Sequence, residues 1–205
     1  IRDDVESRGL GDVYKRQNLY YNEKTVTKKG RKRMFKKGDY IVYGSTGVCE
    51  VLDVTTMHMD GIPDDKLYYI LQPYQKNGSE VFTPVDNKRT VMRNIIPPLK
   101  AKELLESMED LEDFKVPVQK FREDSYKKCI RGCDCREMMG LIKMLHHKKM
   151  DRLAHGKNFP TTDERYLRIA EDNLIQELAF SLGTSKEKIS RYIYDRISSP
   201  AHQLS

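Results

Sequence analysis

From Phe35 onward the apolar positions come in short runs separated by turn formers. Tyr40, Ile41, Val42 and Tyr43 make a β-rich run, Gly44 to Gly47 a turn, and Val48 to Val54 a partly alternating second run that leads on to Met57, His58 and Met59. Asp60-Gly61 reads as a hairpin turn. A third run spans Leu67 to Leu71, and after Lys76-Asn77-Gly78 a fourth appears at Val81, Phe82 and Thr83. Four or five short strands with tight turns, packed into about sixty residues, predict a small antiparallel barrel.

Beyond Pro97-Pro98 the spacing of apolar residues changes to that of helices, and the double proline is placed as the boundary because it stops a strand and can start a helix. Leu99 to Met108 is a short amphipathic candidate with Leu104 and Leu105 inward, and a second helix is expected over Lys120 to Ile130, stopping near Gly132. Asp134 with Glu137 forms a capping box that opens a third helix, whose Met138, Leu141, Ile142 and Leu145 share a face. Thr162 is the expected cap of the longest helix, which carries a mostly apolar stripe of Tyr166, Ile169, Ala170, Asn173, Leu174, Glu177 and Leu178 and ends at Gly183. Thr184 with Glu187 caps a fifth helix that buries Ile189, Tyr192, Ile193 and Ile197. The expected class is α+β: a small antiparallel β-barrel, then an all-α region of about five helices.

Charge changes this picture only by its position. The chain of 205 residues has a net charge of +6. Residues 1–33 hold ten basic and five acidic residues and show no periodicity; they are expected to be a disordered leader outside the natural reading frame, with Met34 as the start, or else a basic tail. Residues 34–98 and 158–205 are each close to neutral, whereas 115–157 carry twelve basic and five acidic residues, a local +7. The expected division is therefore 1–33 leader, 34–98 barrel, 99–200 helical domain and 201–205 tail. Neither a membrane span nor a secretory signal is visible, so a cytoplasmic protein is expected.

Candidate chemistry is sparse. No phosphate-binding glycine loop, nucleophile elbow or His-Glu-x-x-His pair is present, so no enzyme is expected. Asp163, Glu164, Glu171 and Asp172 read as a solvated helix face, and His146-His147 as residues suited to the negative end of a helix. Cys49, Cys129, Cys133 and Cys135 lack paired zinc spacing; free thiols are expected, with no metal or cofactor. The basic block is the informative feature: Lys127, Lys128 and Arg131 on one helix, with Lys143, Lys148, Lys149, Arg152 and Lys157 on the next and its exit. Clustered cations favour phosphate backbones because binding releases condensed counterions. The alternative is an ordinary solvated helix pair, or a helical domain that binds a protein.

The segment from Met34 to Val48 resembles the opening of the CarD and CdnL family, shared with the polymerase-interacting domain of transcription-repair coupling factors. Its pattern is matched at Phe35, Gly38, Asp39, Val42, Tyr43 and Gly47, and Thr83-Pro84-Val85-Asp86-Asn87 resembles the later Pro-x-x-Asn motif. The resemblance runs on through the helices to about Pro200. It implies a bacterial, monomeric regulator whose Tudor-like barrel docks on the RNA polymerase β subunit through a strand edge, placed here at Met57, His58, Val81, Phe82 and Thr83. It further implies helical contacts to promoter DNA that stabilise the open complex, with an aromatic wedge that is usually Trp. This chain contains no Trp; Phe121, upstream of Tyr126-Lys127, is the nearest aromatic, one residue further off than the family spacing.

Overall fold

The structure is a computed structural model that describes residues 35–57, 66–74 and 79–198. The expected leader, the Asp60-Gly61 turn, His58 and the tail lie outside those residues.

Five strands, β1 (Tyr40–Tyr43), β2 (Gly47–Thr56), β3 (Leu67–Pro73), β4 (Val81–Pro84) and β5 (Met92–Asn94), form one antiparallel sheet in the order β4-β3-β2-β1-β5. The expected closed barrel is corrected by this order: β4 and β5 are the two edges and do not pair with each other. The sheet curls all the same. Val81 and Val85 from one edge and Met92 from the other pack on a common core of Ile41, Cys49, Val51, Tyr69 and Leu71. A register shift between Val51 and Asp53 bends β2, as an extra residue in one strand does.

Alternation along β1 serves two cores at once. Ile41 and Tyr43 face the sheet's own core, whereas Tyr40 and Val42 point the other way, toward the helices. Gly47 turns the chain into β2 at φ 85°, and a Cβ there would stand 3.0 Å from Asn173 Oδ1, so glycine is demanded by both the backbone and the neighbour.

Five α-helices follow among the described residues: α1 (Pro98–Glu106), α2 (Arg122–Gly132), α3 (Cys135–Ala154), α4 (Thr161–Leu182) and α5 (Lys186–Ile197). They surround one core in which Leu104, Tyr126, Ile142, Leu174, Leu178 and Ile193 are all buried. Asp134 caps α3 as expected, its side chain accepting from the backbone N–H groups of Arg136 and Glu137. Two expected caps are displaced. At α4 the residue before the helix is Pro160, with no side-chain cap, and Thr162 lies inside the first turn. At α5 the cap is Ser185, whose hydroxyl accepts from Lys188 N–H, while Thr184 still belongs to the turn that closes α4, its N–H donating to the Ala179 carbonyl.

Candidate functional site

β4 pairs with β3 on one side, in the register Ile70 opposite Phe82 and Tyr69 opposite Thr83, and with nothing on the other among the described residues. Its free side presents the N–H and carbonyl of Phe82 to another strand, while Pro84 has no N–H to add and its carbonyl already accepts from Asn87 N–H at 3.0 Å. Phe82 is 48% exposed, while Thr83 points into the sheet and accepts from the Asn87 side-chain amide at 2.9 Å. Val81 is half-buried against the sheet core. Met57 stands past the end of β2, separated from β4 by β3, so Met57 and the Val81–Thr83 edge are not one continuous strip.

The motif residues shape this sheet. Phe35 N–H donates to the Tyr69 hydroxyl at 3.0 Å and its ring stacks 5.8 Å from that of Tyr69. Gly38, at φ 84°, and Asp39, whose carboxylate accepts from Lys36 N–H at 2.7 Å, close the turn into β1. Val42 is buried against the helices and Tyr43 packs on the sheet core.

The basic block does not lie wholly on the surface. Lys143 is corrected outright: it is 5% exposed, and its ammonium donates to the carbonyls of Met108, Glu109 and Leu111 at 2.9, 3.1 and 2.6 Å. An ammonium whose three donors are taken by carbonyls of the turn after α1 has none left for a phosphate. The solvated face expected at Asp163 is corrected too. Asp163 is fully buried, with Arg122 Nε 3.1 Å from Oδ1 and Lys148 Nζ 2.7 Å from Oδ2, so it gathers the start of α2, the far half of α3 and the start of α4 at one end of the bundle.

Lys127 pairs with Glu123 at 3.1 Å, and Arg165 reaches the same carboxylate at 2.9 Å. The hydrogen bond from Lys127, with a second from the Tyr166 hydroxyl at 2.9 Å, holds Glu123 below the usual carboxylate range, and the same bond to Glu123 holds Lys127 above the usual ammonium range. Arg152 Nε donates to the Asn158 carbonyl at 2.7 Å, and Lys149 Nζ lies 5.9 Å from the Phe159 ring centre. Lys128, Arg131 and Lys157 have no carboxylate partner among the described residues. Phe121 is 54% exposed, on a short turn before α2, with Lys120 Nζ 5.8 Å from its ring centre. Arg122 and Arg165 were missed by sequence reasoning: Arg165 lies in a neutral stretch, and only the fold carries it across to Glu123.

Cys49, Cys129, Cys133 and Cys135 are free thiols. Burial pushes Cys129 and Cys135 up to about 12, which leaves them poor nucleophiles and poor metal ligands at neutral pH. His146 packs its ring 4.9 Å from that of Tyr194 and His147 faces Asp113 at 3.4 Å, so neither caps a helix end.

Against known families, residues 35–96 match the CarD-like/TRCF RID domain. The chain carries a CarD-like domain. That domain suggests interaction with RNA polymerase. The match ends before α1, leaving the helical half outside it, and no curated protein matches the chain. No helix among the described residues is long and apolar enough to cross a membrane.

Proposed function

We propose that this chain is a non-catalytic, cytoplasmic transcription regulator that docks on the RNA polymerase β subunit through its CarD-like sheet, a Tudor-like half-barrel, and holds promoter DNA with its helices. The match over residues 35–96, joined to a free β4 edge inside those residues, carries the reading. Edge pairing uses main-chain groups for affinity, and the exposed Phe82 offers a side-chain anchor beside them.

On the helical side, Lys128, Arg131 and Lys157, with Lys149, Arg152 and the partly neutralised Lys127 and Lys148, supply phosphate contacts. Phe121, exposed and flanked by Lys120 and Arg122, is the residue placed to wedge into an opened minor groove. Together these contacts stabilise the open promoter.

Two measurements on the full chain test this. Phe82→Glu reduces capture of the polymerase β subunit at least tenfold while leaving DNA affinity unchanged. In a salt titration with forked promoter DNA, log affinity falls steeply with log salt, and Lys128→Ala with Arg131→Ala flattens that slope by about two. Salt-independent binding would transfer the helical half to the alternative reading, an adaptor for a protein partner.

A further inference from the structure

Arg93 belongs to neither docking surface. It leaves β5 at the sheet edge opposite β4 and reaches into the helices. Its Nη1 and Nη2 donate to the two carboxylate oxygens of Glu177 at 2.5 and 2.8 Å. The same guanidinium donates through Nε and Nη2 to the Cys133 carbonyl at 2.9 and 2.6 Å, and through Nη1 to the Asn94 carbonyl at 3.0 Å. Burial alone would lower the guanidinium's affinity for its proton; the hydrogen bonds and charge of Glu177 more than reverse this.

Each acceptor belongs to a different element. Cys133 is the left-handed residue that ends α2, at φ 56°, and its carbonyl has no partner within that helix. Glu177 is 1% exposed in the middle of α4, and its Oε1 also accepts from Ile96 N–H at 2.8 Å. The Cys133 thiol in turn donates to the Gly44 carbonyl at 3.3 Å, back in the turn between β1 and β2. Val42, Val48, Ile95 and Phe180 surround this joint with apolar surface.

Apolar packing is non-directional and tolerates sliding, whereas a planar guanidinium held by a fork on one side and a carbonyl on the other fixes rotation as well as distance. A buried ion pair adds little net stability over an apolar pair of similar volume. Its specific product is geometry. α2, the helix held at its end by Arg93, is also the helix that carries Lys127, Lys128 and Arg131.

We propose that Arg93 and Glu177 are positioning residues that lock the CarD-like sheet and the basic helices at one angle, so that the β4 edge and the cations of α2 meet a single assembly at a fixed spacing. The functional consequence rests on the polymerase and promoter reading above; the lock itself does not.

The test uses the full chain labelled with a fluorophore pair at positions 86 and 187, where Asp86 and Glu187 are exposed, through azide-bearing residues that spare the native thiols. The decisive variant is R93M/E177L, which keeps the joint filled but removes the fork. A purely stabilising pair would leave the distance distribution as narrow as before, whatever the bared Cys133 carbonyl and Ile96 N–H cost in stability; a positioning pair would not. The wild-type chain gives one narrow distance distribution, and R93M/E177L widens it at least twofold. Binding to the polymerase β subunit alone and to promoter DNA alone stays within twofold of wild type, while the lifetime of the heparin-challenged open complex drops about tenfold. Arg93→Lys, which keeps the charge without the fork, falls between, and it reads the width should the double variant fail to fold. Wild-type width in the folded variants overturns the lock. A widened distribution with an unchanged open-complex lifetime leaves the lock standing and instead removes the promoter reading.

Discussion

Lys143 and Glu171 are charged residues whose sequence surroundings say one thing and whose packing says another. Lys143 sits in a basic run, yet it donates to three carbonyls, so Lys143→Met should cost about 2–3 kcal/mol in urea unfolding by leaving those of Glu109 and Leu111 bare, and should leave the salt slope of DNA binding unchanged. A flattened slope with wild-type stability would return Lys143 to the DNA-contacting set. Glu171 is half-buried, accepts from the Tyr194 hydroxyl, and is pushed by burial up to about 7, with Lys149 beside it pulling the other way. The folded state therefore keeps this proton over a range where the unfolded carboxyl, near its usual 4.5, has released it. The resulting stabilisation is complete below pH 4.5 and is lost as pH rises through about 7. Glu171→Gln should thus match wild type near pH 4.5 and exceed it by about 1–2 kcal/mol at pH 8, after allowance for screening. His146, which burial pushes down, titrates in the opposite sense but is common to both proteins and cancels in the difference. A difference that is constant with pH would refute the assignment. Neither residue was legible in the sequence, because a charge run or an acidic pair has the same letters whether it meets water or a buried partner.

Helix α3 was legible because its cap is local: Asp134 stands beside the N–H groups it accepts from, and the signal needs no tertiary information. The start of α5 was misread by one residue for a reason that is not local. Thr184 has the right side chain, but its backbone closes the preceding helix on Ala179, and the capping role passes to Ser185. Ser185→Ala is accordingly expected to lower stability by about 1 kcal/mol, and Thr184→Ala by less than about 0.5 kcal/mol, in matched denaturation curves. The reverse ranking would restore the sequence assignment. The strands show the same division. Their existence followed from β-rich runs and turns, whereas closure depends on whether β4 and β5 meet, and nothing in either segment's own residues encodes that distance.

At the scale of the whole molecule, two cores of unequal size share one seam. The sheet core is small, built on Ile41, Cys49, Val51, Tyr69, Leu71 and Met92, and a unit of this size buries too little surface to be more than marginally stable alone. The helical core is much larger. Phe180 of α4 joins them, its ring 4.7 Å from that of Tyr40 and 5.3 Å from that of Tyr74, and it is almost wholly buried. The stability of the sheet is therefore borrowed through the seam. Removing the ring should cost about 3–5 kcal/mol, and because it sits between the cores that loss should fall unevenly. Native-state hydrogen exchange of Phe180→Ala is expected to show the amides of Val51 and Tyr69 opening together at much lower free energy than in the wild type. Leu141 and Leu174, inside the helical core, should keep nearly their full protection. An equal drop at all four would mean that the chain unfolds as a single unit with no weaker half. The uneven result would make the CarD-like sheet a separately opening unit whose stability is set by the helices beneath it.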